Sequence, residues 1–213
     1  MYLSNFQRLK KLTFNLLAHP KYTFPYLRYS LTNQTPLDIN LPWWSFKSIE
    51  LIQPLLTRDK VIFEWGSGGS TLFLAKYAKH VTAIENNLQW VQKVKTKVNI
   101  DGLKNIKILH KEIRLSSPDE FLSSPYAKAL IKEYDIVVID GEYHFGHSSK
   151  WSAREECFEI SQKFITKKGG IIIVDDSWRY PKILSMSHAR KIIKCESAGP
   201  CRKGVTRTDI HIY

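Results

Sequence analysis

Glu64, Gly66, Ser67, Gly68 and Ser70 crowd into one short stretch, "VIFEWGSGGSTLFLAKY" (61–77), and their types suit ligand binding. Two glycines flank a serine between an apolar run and an amphipathic one. Glycine takes backbone conformations closed to other residues and lets a ligand come close to the main chain. At the carboxyl end of a first parallel strand, such a turn makes a crevice for a nucleotide-like ligand. The dinucleotide pattern G-x-G-x-x-G is incomplete, because Thr71 stands where its third glycine would. Glu64 would repel a pyrophosphate and attract a cationic amino group. Glu85, about twenty residues on, suits ribose hydroxyls. A ligand with a ribose, a positive centre and no phosphate is S-adenosylmethionine; NAD fits less well.

A second set of residues could act on an acceptor. Asp140, Asp175 and Asp176 end two later apolar runs. Three carboxylates offer hard oxygen ligands to a divalent metal. The reading preferred here is that they hold substrate or turn geometry without metal. His144 and His147, in "GEYHFGHSS", are general-base candidates because imidazole titrates near neutrality, although loop histidines are often plain surface. Arg154 and Arg179 are candidates to hold an anionic substrate, or are ordinary helix-face and loop charges.

These residues need elements to hold them. Apolar, β-branched runs at 61–64, 81–85, 106–110, 136–140 and 171–175 read as strands. Helical patterns lie between them at about 70–79, 87–100, 117–132 and 149–166. The alternation predicts a parallel sheet with helices on both faces. The final "RKIIKCES" and "GVTRTDIHIY", separated by "AGPCRKG", read as a hairpin that adds antiparallel character at one edge. An amphipathic helix near 3–17 and the aromatic-rich "HPKYTFPYLRY" precede all of this. The domain reading is an N-terminal extension over 1–40, followed by one domain over 41–213.

With these motifs in order, the sequence resembles the class I S-adenosylmethionine-dependent methyltransferases. "FEWGSGGST" looks like their first motif and "VTAIE" like the acidic end of their second strand. "YDIVVIDGEY" and "KKGGIIIVDDS" look like their fourth- and fifth-strand motifs. "GSGGSTLFLAK", "REEC" and "DDSWRYP" together resemble an FkbM-like group. The resemblance implies a Rossmann-like, doubly wound seven-stranded sheet of order 3-2-1-4-5-7-6, with the last strand antiparallel. It implies cofactor contacts from Glu64, Gly66, Ser67, Gly68, Ser70, Glu85 and Asp140, with His110 or Glu112 near the adenine. Trp43 and Trp44 would close the cofactor pocket or pack in the core. Asp140, His144 and His147 are the catalytic candidates. If a metal is bound, the resemblance to catechol-type enzymes implies Asp140, Asp175 and Asp176 as its ligands, with Asp176 replacing the usual Asn.

The acceptor is narrowed by what is missing. Asp140-Gly141-Glu142-Tyr143 is not the [DN]-P-P-[YF] motif of amino-methyltransferases, and no nucleophilic cysteine lies nearby. Hydroxyl methylation of a small molecule or glycan is the leading class. An RNA methyltransferase and a non-catalytic cofactor-binding protein are the alternatives. Most of the net charge of +12 resides in residues 1–60 and 141–213, while 61–140 is nearly balanced. Such an excess suits an acidic acceptor, nucleic acid or an anionic membrane, or serves solubility alone. Three cysteines without a C-x-x-C pair suggest neither disulfides nor zinc. Arg8, Lys10 and Lys11 interrupt any signal-peptide pattern, so a cytoplasmic protein is expected. The stripe Leu3, Phe6, Leu9, Leu12, Phe14, Leu16 and Leu17 must be buried against something. A cap over the active site is expected, ahead of a subunit contact in a homo-oligomer or a membrane role.

Overall fold

Seven strands run through the computed structural model, which describes residues 4–141 and 151–213. They are β1 (Val61–Trp65), β2 (His80–Glu85), β3 (Ile106–His110), β4 (Ile136–Ile139), β5 (Ile171–Val174), β6 (Lys191–Ala198) and β7 (Val205–Ile212). They form one sheet in the order β3-β2-β1-β4-β5-β7-β6. The first five strands pair in parallel, and β7 runs antiparallel to both β5 and β6. This is the expected order, and the expected hairpin supplies its antiparallel edge.

Nine α-helices are present among the described residues: α1 (Asn5–Ala18), α2 (Thr23–Ser30), α3 (Pro36–Ile39), α4 (Phe46–Ile52), α5 (Gly69–Ala75), α6 (Leu88–Ile100), α7 (Pro118–Ser123), α8 (Ala153–Phe164) and α9 (Lys182–Met186). Strand side chains alternate between faces, so both faces need cover. Ile62, Ile136 and Val138 join Trp44, Ile52 and Phe73 on one side. Phe63, Trp65, Val137 and Ile139 join Tyr126 and Phe158 on the other. The runs of β1, β2, β4 and β5 therefore form central strands with both faces largely buried, while β3 lies at the edge with Lys107 and His110 exposed.

Two helices are shorter than the periodicity predicts. The 117–132 pattern yields α7 and a separate 3-10 turn at Ala127–Ala129. Ser124 is extended (φ −68°, ψ 152°) and precedes Pro125, which disfavours a helical residue before it. The 70–79 pattern stops at Ala75 and continues as turn.

At the N-terminus, α1 begins with a capping box in which Ser4 and Gln7 satisfy each other's backbone donors. It lies along the β6–β7 hairpin, where Asn15 Oδ1 accepts from Ala198 N at 2.9 Å. Leu12 is buried there, while Phe6, Leu9, Phe14 and Leu17 stay exposed. Most of the apolar stripe thus lacks cover among the described residues.

Candidate active site

The turn after β1 is held by a carboxylate beneath it. Glu64 is wholly buried and accepts from the Ser70 hydroxyl and from Thr71 Oγ1, the latter at 2.5 Å. Thr71 Oγ1 also accepts from Gly68 N at 2.9 Å. Burial pushes Glu64 up to about 7, against the pull of the two hydroxyls. Each of its oxygens thus carries one hydrogen bond, and Glu64 and Ser70 fix the main chain of the turn.

Gly66 has φ +107°, and a Cβ there would lie 2.8 Å from Gly141 N. Only glycine allows β1 and β4 to open into adjacent turns at this separation. Gly68 has φ 162°, ordinary extended backbone, and a Cβ there would meet nothing closer than 3.8 Å. Close approach within the fold belongs instead to Gly69, where a Cβ would fall 2.2 Å from Leu41 O and 2.4 Å from Pro36 O. The N-terminal extension therefore rests directly on the start of α5.

Glu85, at the end of β2, accepts from Asn86 N (2.9 Å), Asn87 N (3.0 Å) and Ser67 Oγ (3.3 Å). Burial raises its pKa while these donors oppose the rise. Trp90, on the first turn of α6, donates from Nε1 to Ser67 O at 2.8 Å. Sequence reasoning missed it; its only signal was an aromatic shortly after the acidic strand end. His110 and Glu112 lie exposed at and beyond the end of β3, with His110 Nε2 3.1 Å from Asn86 O.

Across the neighbouring strand ends, the acidic residues meet arginines. Asp140 takes a hydrogen bond from Trp44 Nε1 at 3.1 Å, and Arg154 Nη2 lies 3.7 Å from its other oxygen. Trp44 is fully buried, so of the two tryptophans it is both core and site; Trp43 is 48% exposed. Arg154 is buried, donating to Gly141 O (2.9 Å) and Asp175 O (2.6 Å). It braces two turns and is not presented to a substrate. Arg202, from the hairpin turn, donates to Asp175 Oδ2 (2.7 Å) and Asp176 Oδ1 (3.0 Å). Thr208 and Thr206 donate to the same two residues, each contact near 2.7–2.8 Å. The guanidinium sits where a cation bridging Asp175 and Asp176 would, so the acidic set does not fit a metal. Among the described residues, no group of His, Cys, Asp and Glu could hold one.

Burial raises Asp140 to about 6, opposed chiefly by Arg154, and raises Asp175 to about 8, opposed by Arg202. For Asp176 burial also pushes upward, but Arg202 and Thr206 outweigh it and hold the group low. His144 and His147, the expected general bases, lie outside the described residues.

A cavity of about 440 Å³ adjoins this cluster. Its walls come from α1, Trp43, the turn after β5 and the β6–β7 hairpin. No helix among the described residues is long and apolar enough to cross a membrane.

Neither a protein-family model nor a curated protein matches this chain. Solved structures do. A 16S rRNA methyltransferase of T. thermophilus, in complex with AdoMet and guanosine, aligns over 77% of this chain at 17% identity and a TM-score of 0.57. The alignment spans only 41% of that larger chain. A candidate methyltransferase of Streptococcus mutans, in complex with SAH, aligns over 85% of this chain and 100% of its own (12% identity, TM-score 0.55). An rRNA methylase of Streptococcus thermophilus aligns over 85% and 98% (13% identity, TM-score 0.51). At these identities the likeness is one of architecture. Strand order, the antiparallel last strand and the glycine turn after β1 together give this chain the Rossmann-like fold of the class I methyltransferases.

Proposed function

We propose that this protein is an S-adenosylmethionine-dependent methyltransferase acting on a hydroxyl of a small molecule or glycan. The observation that carries the reading is the β1–α5 turn, held by Glu64, Ser70 and Thr71 beside the ribose-suited Glu85. Gly66 to Gly68 present main chain to the methionine part of the cofactor, and Glu85 accepts from its ribose. The bound cofactor would supply an activated methyl group for in-line displacement. The chain's part is alignment and proton removal. Asp140 adjoins Gly66 through Gly141, with the Arg154 guanidinium beside one carboxylate oxygen and Trp44 Nε1 bonded to the other. It would accept the hydroxyl proton or orient the acceptor. Residues 4–40 would form a cap, supported by the seating of Pro36 and Leu41 on Gly69 and by Arg8 and Lys11 in the cavity wall. An FkbM-like placement rests on the motifs alone.

Calorimetry with S-adenosylmethionine, SAH and NAD tests the reading. Binding of the first two and not NAD is expected, and no binding of either would overturn it. Asp140→Asn should reduce turnover at least tenfold with SAH affinity kept within a few-fold. An RNA acceptor is the second reading, favoured by the rRNA methylases among the similar structures. Transfer of labelled methyl to RNA, and to no small-molecule extract, would establish it instead.

A further inference from the structure

The cavity beside Asp176 carries an unusual excess of positive charge. Six cations line it, Arg8, Lys11, Arg179, Arg202, Lys203 and Arg207, against Asp176 and Glu196. Three of the six are engaged. Arg202 is held by Asp175 and Asp176, Lys11 by Glu196 at 3.0 Å, and Arg207 Nε by Asp209 at 3.2 Å. Arg8 and Lys203 have no acidic partner among the described residues. Arg179 reaches only Asp176, at 4.0 Å, and that carboxylate is already shared with Arg202. Arg8 and Lys203, without an acidic partner among the described residues, and the weakly paired Arg179 thus converge on one concavity from α1, the turn after β5 and the hairpin.

Solvated surface charge would spread out; here the fold gathers it. Arg179 stacks on Trp178 (5.3 Å) and Arg202 on Trp43 (5.1 Å). The ring face attracts the guanidinium at this distance, and Arg179 carries N–H donors suited to an oxyanion. A second basic concavity, around Arg58, Lys76, Lys79 and Lys104, has no aromatic wall.

We propose that the cavity receives the phosphate group of a small phosphate-ester ligand, with Arg8, Arg179 and Lys203 as its charge partners. The volume lies in the range of roughly 300–1,000 Å³ usual for a single small ligand, and distant segments of the chain contribute its walls. A phosphate monoester brings about two negative charges and several acceptor oxygens to match three cations. That this ligand is also the methyl acceptor rests on the methyltransferase reading above; the binding itself does not.

The test uses ³¹P NMR titration of the full chain with inorganic phosphate and ribose 5-phosphate, beside SAH calorimetry and anisotropy with a single-stranded RNA. Ribose 5-phosphate is expected to bind saturably and to lose at least tenfold in affinity in Arg179→Gln and in Arg8→Gln/Lys203→Gln. Lys76→Gln/Lys79→Gln, on the other basic surface, should change it less than twofold. SAH affinity should hold in all variants, which also reports that they are folded. Absence of phosphate-ester binding, or equal loss in the Lys76/Lys79 control, overturns the proposal. So does RNA binding that ribose 5-phosphate cannot compete, which would assign the surface to nucleic acid. Saturable phosphate binding without any SAH binding sustains this site and overturns the methyltransferase reading instead.

Discussion

The turn after β1 and the basic cavity beside β5 and β7 are built in different ways. The turn is assembled from neighbours in sequence: Glu64 holds Ser70 and Thr71, Thr71 holds Gly68, and Glu85 holds Asn86 and Asn87. The cavity is assembled from distant segments. Arg202 donates to the Trp43 carbonyl across 159 residues of chain, and Trp43 donates back to the Cys201 carbonyl at 3.2 Å. A site made of local contacts depends on the conformation of a few residues. A site made of remote ones depends on the whole sheet closing correctly, and its charges must be matched after that happens. The first should be brittle to backbone change, the second to loss of a single charge partner.

The largest effect is expected from Arg202→Gln, which leaves Asp175 buried without its guanidinium. A loss of roughly 3–5 kcal/mol in unfolding free energy should follow, measured by chemical denaturation at neutral pH. A loss under about 1 kcal/mol would show that the cavity does not depend on this pair.

Gly66→Ala is the counterpart on the turn. Its positive φ and the 2.8 Å approach to Gly141 N should cost roughly 2–4 kcal/mol. SAH binding should vanish with it. Wild-type affinity in a folded Gly66→Ala protein would mean that the turn is not where the cofactor lies.

The buried Glu64 sharpens the contrast through pH. Its folded value, about 7, lies above the ordinary 4.5, so the folded chain keeps a proton that the unfolded chain releases. Its contribution is fully present below about pH 4.5 and is lost as pH rises through 7, an effect of about 3 kcal/mol. Glu64→Gln should flatten stability across that window. Comparing the two proteins at each pH separates Glu64 from His211, which burial pushes down to about 4 and which acts in the opposite direction. Identical pH profiles would show that Glu64 is not protonated on folding.

The smallest effect belongs to Lys11→Ala. Its bridge to Glu196 is about half exposed at both ends. A change within about 1 kcal/mol is expected in thermal unfolding. A larger loss would make α1 more tightly bound to the hairpin than its single buried leucine suggests.

The same division decided what could be read beforehand. The strands, the antiparallel hairpin and the glycine turn follow from β-branched runs, hairpin signals and motif spacing, while the strand order was implied by the resemblance to the class I methyltransferases. Those signals are local, and parallel strands buried on both faces leave little choice of pattern. Helix 117–132 was over-extended because the apolar period ran on through Ser124 and Pro125, where the backbone could not. The position of Glu64 was legible, but the Ser70 and Thr71 hydroxyls that bind it were not.

By itself, then, the sequence determined the sheet, the glycine turn and the acidic strand ends, because period, β-branching and glycine act through the nearest residues. Tertiary structure alone decided that Trp44 would hold Asp140, that Arg154 would be buried as a brace, and that Arg202 would occupy the Asp175–Asp176 pair. It also brought Arg8, Arg179 and Lys203 to one cavity. Charges so far apart in the chain carry no mark of their partners, and Coulomb interaction acts on distance in space once the strands have set it.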